Sequence, residues 1–201
     1  MFRGDICPCC QITAHVDRRN RLLIGSRQVS AEGYRDATVA RSGDGGRSFS
    51  SRSGIGGAGW KIDGCPLKPT AVNRDEDFVY AAVYAGGEAQ PGVYFARSTD
   101  GGRIFSGYTQ MHPGAPVADA PVIAARDAAV HVFWHAKLGS ERRLFVRASA
   151  DHGATFAPPV ELPAPPGNAT LPAVVNGRGT DIDVVWQQGD QIYFGRYRPA
   201  P

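Results

Sequence analysis

The sequence has no apolar run long enough to cross a bilayer, no block of like charge and only two methionines. The first absence excludes a membrane-spanning helix. The second argues against a nucleic-acid stripe. The 22 basic residues are nearly all arginine, are scattered along the chain, and have no interleaved aromatic run. With a formal net charge of +3, they read as a solvated basic surface. No segment carries the 3.6-residue apolar period of an amphipathic helix. The start, Met1-Phe2-Arg3-Gly4-Asp5, lacks the basic region and apolar core of a secretory signal. Low-complexity disorder is excluded by an ordinary composition, 42% hydrophobic and 20% charged.

What the chain does have is glycine (25), proline (15) and a repeat. Three segments align without gaps, Ser42-Gly-Asp44-Gly-Gly46-Arg-Ser-Phe49, Ser98-Thr-Asp100-Gly-Gly102-Arg-Ile-Phe105 and Ser149-Ala-Asp151-His-Gly153-Ala-Thr-Phe156. All read S-x-D-x-G-x-x-F, at spacings of 56 and 51 residues. Serine and aspartate side chains bond nearby amides and fix a turn. Glycine supplies a conformation that a Cβ resists. The phenylalanine can then fold back and bury its ring.

β-Branched and aromatic residues precede each copy, in Thr38-Val39-Ala40, Val93-Tyr94-Phe95-Ala96 and Leu144-Phe145-Val146. Two further apolar stretches lie upstream of these in every period. Each unit therefore reads strand A, strand B, strand C, turn, strand D. Four strands in ~40–50 residues is the pattern of a propeller blade. The expected fold is all-β, a single propeller domain with blades at about 7–56, 60–113, 116–163 and 168–198. The fourth unit ends without a turn motif or strand D, which leaves an open edge. The N-terminal residues, further blades before Met1, or self-association with a second copy would each cover it.

The triple motif resembles the Asp-boxes, or BNR repeats, of sialidase-like proteins. Cys7-Pro-Cys9-Cys10, then Tyr34-Arg35-Asp36, then Gly59-Trp60-Lys61-Ile62-Asp63-Gly64-Cys65-Pro66 is similar to a bacterial group of BNR proteins of exo-α-sialidase type. That resemblance implies an incomplete six-bladed propeller lacking its N-terminal blades and export signal, in an extracytoplasmic or secreted setting. It also implies a glycoside hydrolase with three arginines on the substrate carboxylate, a tyrosine nucleophile paired with glutamate, and an aspartate acid/base. Asp-boxes stabilise blades and lie away from the active face, and they also occur in non-enzymatic propellers. The Arg-Ile-Pro segment that usually carries the first arginine is absent. This favours the alternative of a non-catalytic binding propeller.

Topology narrows the search for a site. Strands in a blade alternate in direction, so the C–D turns mark one face and the B–C and D–A loops the other. Cys7, Cys9 and Cys10 precede strand A of blade 1, and Cys65 precedes strand A of blade 2. All four should meet on the face opposite the Asp-boxes. Three chemistries remain open there. They are a disulfide, for example Cys65 with Cys9 or Cys10; a thiolate metal or redox site; or inert packing.

Aligned B strands place Arg27, Tyr84, His135 and Gln187 at equivalent positions just past each apolar run. With Trp60, they are candidate ligand-binding residues for a glycan or small anionic ligand; the bland alternative is strand ends turning polar as they leave the core. Arg35, Asp36, Asp63 and Tyr34 are the candidate catalytic set, with Asp36 or Asp63 as acid/base and Tyr34 as nucleophile. Arg35 and Asp36 also read as a local ion pair. Trp134 and Trp186 are most simply core.

Overall fold

The computed structural model describes residues 6–57, 59–115 and 117–199. Met1 to Asp5 and Pro116, at the expected start of the third blade, lie outside the described residues. Four antiparallel sheets form a four-blade β-propeller, and no helix occurs among the described residues. Blade 1 comprises β1 (Thr13–Val16), β2 (Leu22–Val29), β3 (Arg35–Ser42) and β4 (Ser53–Gly54). Blade 2 comprises β5 (Thr70–Asp75), β6 (Phe78–Ala85), β7 (Gly92–Ser98) and β8 (Ser106–Gln110). Blade 3 comprises β9 (Ala118–Arg126), β10 (Ala129–Leu138), β11 (Glu141–Ser149) and β12 (Val160–Glu161). Blade 4 has three strands, β13 (Ala169–Asn176), β14 (Ile182–Gln188) and β15 (Gln191–Tyr197).

Every sheet is ordered as the chain runs, so each blade is a meander. The central strand of blade 2, Phe78–Ala85, is buried on both faces because neighbouring blades cover it, whereas that of blade 4 alternates buried with more exposed residues. The innermost strands β1, β5, β9 and β13 stand side by side. They line one axial cavity of about 460 Å³. Side chains stitch them together. Thr13 Oγ1 donates to the Thr70 carbonyl, Asn73 Nδ2 to Ile123 O at 3.0 Å and Asn176 Nδ2 to Ala125 O at 2.9 Å. Blades 1 and 2 approach so closely that a Cβ on Gly25 would clash with the Thr70 carbonyl.

The three Asp-boxes are one hairpin built three times. Ser42, Ser98 and Ser149 each close a C strand. Their hydroxyls donate to Asp44, Asp100 and Asp151 Oδ1 at 2.7, 2.6 and 2.7 Å. The same oxygens accept the amides of Gly46, Gly102 and Gly153 at 2.8, 2.9 and 2.9 Å. Each aspartate takes further donors four residues on, from Ser48, Ile104 and Thr155. Those bonds hold all three carboxyls below the usual aspartate range, Asp44 at about 2.

The second and third boxes pack on the preceding blade. Phe105 joins the cluster between blades 1 and 2, and Phe156 that between blades 2 and 3. Phe156 meets Phe95 edge-on at 4.9 Å. Phe49, Phe105 and Phe156 are half-buried. Trp134 and Trp186 are core, 0% and 7% exposed.

Blade 4 ends at β15, whose register places Tyr197 opposite Ile182, where Ser98 stands opposite Val79 and Ser149 opposite Val130. A tyrosine thus occupies the box-serine position. Its ring lies 5.6 Å from His131 and from Phe133. Ile192 and Phe194 of this edge strand are 76% and 63% exposed. The described N-terminal residues do not supply the missing strand, since Ile6 bridges to Gln28 of β2 and so extends blade 1.

Candidate functional site

The face opposite the Asp-boxes gathers the sequence candidates, and the order of strands explains why. The B strands run from the Asp-box end to this end. Arg27, Tyr84, His135 and Gln187 occupy equivalent last-turn positions, opposite Ala37, Val93, Leu144 and Ile192 of the C strands. Four equivalent positions thus carry four different chemistries.

Arg27 is 2% exposed. Its Nη1 donates to Arg35 O at 2.6 Å and its Nη2 to Tyr84 O at 2.8 Å, and its guanidinium carbon lies 5.3 Å from the centre of the Trp60 ring. Burial lowers its pKa. Arg27 therefore ties blade 1 to blade 2 beneath the surface and orients Trp60 and Arg35. Tyr84 is half-buried; Trp60 lies 5.2 Å from its ring and Lys68 Nζ 4.6 Å. Trp60 also lies on Gly86, where a Cβ would meet its Nε1 at 2.5 Å.

His135 is 4% exposed. Its Nδ1 accepts the Leu171 amide at 3.1 Å, which leaves the proton of the neutral ring on Nε2. Burial drives its pKa down to about 4, against the opposing pull of Asp119. Gln187 is exposed and donates to Gly189 O at 3.2 Å.

Arg35 opens β3, and its backbone amide is held by Trp60 O at 2.7 Å. Its Nη2 donates to Gly64 O at 3.2 Å, while its Nε is buried with no hydrogen-bond partner. Asp36, the next residue in the strand, points to the opposite face. No ion pair joins the two among the described residues, because adjacent strand residues cannot face each other. Tyr34 bridges to Lys61 and its ring lies against Gly59. Tyr34, Arg35, Trp60 and Gly64 are thus one loop assembly, while Asp36 and Asp63 are exposed at its margin.

Two residues of the mouth escaped the sequence reading, Lys68 and Asp119. They form an ion pair between blades 2 and 3, each side chain 22% exposed. Asp119 pairs in register with His135 and caps the Ala120 amide at 2.7 Å. The signal was present. Lys68 stands one residue before Pro69 and Asp119 two before Pro121, and both prolines lie near the start of an inner strand beside the axis.

The four cysteines gather as expected. Cys9 and Cys65 are disulfide-bonded with Cα atoms 6.2 Å apart. Cys7 and Cys10 are free and buried. Cys7 Sγ lies 3.5 Å from Cys9 Sγ and 3.0 Å from Cys10 Sγ.

No family model matches the chain and no curated protein resembles it in sequence. Solved structures do share its fold. An α-L-arabinanase from Penicillium chrysogenum superimposes with a TM-score of 0.64 at 14% identity, over 92% of this chain and 61% of that one. A Hadza microbial sialidase gives 0.65 at 17% identity, over 94% of this chain and 44% of that one. An α-L-arabinofuranosidase from Lactobacillus brevis gives 0.56 at 13% identity, over 96% and 69%. The chain thus spans less than two thirds of the arabinanase and under half of the sialidase. At these identities the likeness defines the class as a β-propeller of the architecture used by sialidases and arabinanases, and defines the fold alone.

Proposed function

We propose that this chain is a glycan-recognising, glycoside-hydrolase-related propeller of sialidase-like type, a single domain over residues 1–201. Its ligand enters at the mouth of the axial cavity, opposite the Asp-boxes. The observation that carries this reading is the wall made by Trp60, Tyr84 and Lys68, with ring centres 5.2 Å apart and the ammonium 4.6 Å from the Tyr84 ring. Aromatic faces bind the apolar face of a sugar, and an adjacent cation with the Arg35 guanidinium suits a carboxylate on it. The glycan-active propellers that share the fold point the same way.

In the enzymatic form of the proposal, Arg35 contacts the anionic group, Asp63 serves as acid/base and Tyr34 as nucleophile, while Asp36 is set aside because it faces away from Arg35. Arg27 acts by orienting Arg35 and Trp60. Tyr84 and Gln187 complete the binding rim, with the buried His135 packed behind it. The packing of the Tyr34 ring on Gly59 favours a second reading, a non-catalytic binding propeller in which Tyr34 shapes the loop.

Aryl α-sialosides and aryl α-L-arabinofuranosides, followed for hydrolysis, together with a glycan array, test both. Turnover abolished by Arg35→Ala supports the enzyme. Array binding without turnover, weakened by Trp60→Ala, supports the binding propeller. Neither turnover nor binding by the wild type defeats the glycan reading.

A further inference from the structure

The cysteine cluster does more than hold a disulfide. Three sulfurs from two blades, those of Cys7, Cys9 and Cys65, lie within 4.8 Å of one another. The fourth, on Cys10, stands 3.0 Å from Cys7. Thiolates bound at about 2.3 Å to one cation hold their sulfurs roughly 4 Å apart, which is the scale of this cluster. Two free, buried thiols beside a disulfide are also unexplained by structural cross-linking alone, because the Cys9–Cys65 bond already joins blades 1 and 2 without them.

We infer that the reduced cluster is a binding site for one thiophilic d¹⁰ cation, with Cys7, Cys9 and Cys65 as ligands and Cys10 as the fourth ligand where the ion takes four. Sulfur-only donor sets of this kind select zinc or monovalent copper over hard cations. The surroundings fit. Arg27 is buried and close enough to Cys7 and Cys10 to interact with both electrostatically, so it offsets the negative charge of the bound thiolates. The Cys7 amide is fixed on Arg27 O at 2.8 Å, so the first ligand is tethered to β2. Cys65 is exposed and gives the ion a way in.

The disulfide and the metal exclude each other. A small external dithiol opens the site by exchange. Its two sulfurs become a disulfide, the Cys9–Cys65 bond breaks, and Cys9 and Cys65 each end as a thiol. Each thiol that then binds the cation releases one proton to solvent. In the oxidised protein the pair is withdrawn from coordination.

The test uses the full chain, reduced under anaerobic conditions and freed of reductant. One portion is given zinc, the other monovalent copper against a chromophoric chelator, and metal per chain is measured after gel filtration. The inference predicts one equivalent of zinc or copper in the reduced protein, and loss of it in Cys7→Ser and in the oxidised wild type. It predicts the same loss in the Cys9→Ser/Cys65→Ser double variant, whose fold is checked by its unchanged β-sheet circular dichroism. In Cys10→Ser, loss of zinc with copper kept identifies a three-sulfur site for copper, and loss of both ions identifies Cys10 as an obligatory fourth ligand. Reduced wild-type protein with four titratable thiols that retains neither ion overturns the inference, as does undiminished binding in Cys7→Ser.

Discussion

The two ends of this propeller are built on opposite principles. At the Asp-box end three blades repeat one hairpin, with the serine-to-aspartate bond at 2.7, 2.6 and 2.7 Å. At the other end equivalent strand positions hold Arg27, Tyr84, His135 and Gln187, each with different partners. Repetition marks a structural need shared by blades 1 to 3. Divergence at matched positions is what the proposed ligand-binding mouth calls for. The comparison also separates blade 4 from the rest. Tyr197 stands where a box serine belongs, and that blade ends in an exposed edge rather than a clasped hairpin.

The strongest way to break the contrast is in the seat of a box. Phe95 is fully buried, and a Cβ on Gly153 would meet it at 2.5 Å. Phe95→Ala is expected to destabilise the fold by about 3–5 kcal/mol, read as a lower urea midpoint. Phe194→Ala on the open edge should change it by no more than about 0.5 kcal/mol. Equal effects would mean that blades do not depend on the box interface.

Acid probes both ends at once, through one strand. His131 and His135 lie in β10 and burial lowers each to about 4 from an ordinary 6.5. The unfolded chain takes up those protons near pH 6.5 and the folded chain only near 4. Stability is therefore complete above pH 6.5 and lost as pH falls towards 4, by a few kcal/mol in all. Denaturant midpoints measured across that window check it. His131→Asn should remove roughly half of the slope.

A smaller effect sharpens the repeat itself. Ser42, Ser98 and Ser149 are all buried. Each serine-to-alanine change strands a glycine amide and should lower stability by about 1–2 kcal/mol, in similar measure at all three sites. The smallest stability effects belong to the mouth. Gln187→Ala should shift the midpoint by no more than about 0.5 kcal/mol. Lys68→Gln should weaken glycan binding about tenfold, as expected for one charge-assisted contact, measured by titration calorimetry.

Most of the fold was legible because a hairpin is local. Serine, aspartate, glycine and phenylalanine at fixed spacing specify a turn without reference to the rest of the chain, and the strand order follows from alternation. The gathering of four cysteines was also legible, since topology places Cys65 beside Cys7, Cys9 and Cys10, but which of them it pairs with was not. Partners across blades were not. Nothing in the local sequence of Arg27 says that its guanidinium is consumed by the carbonyls of Arg35 and Tyr84. Lys68 and Asp119, 51 residues apart, meet only because inner strands of adjacent blades fan around one axis. Arg35 and Asp36 look paired in the sequence, but a strand turns neighbours to opposite faces.

The account stands or falls on where a ligand lands. A titration with a sialylated oligosaccharide, followed by amide chemical shifts of isotopically labelled protein, locates it directly. The account predicts shifts among the amides of residues 34–36, 59–68, 84–86, 119–120 and 135, with the three Asp-box turns silent. Shifts centred on the turns at Asp44, Asp100 and Asp151, with the mouth unmoved, would contradict it.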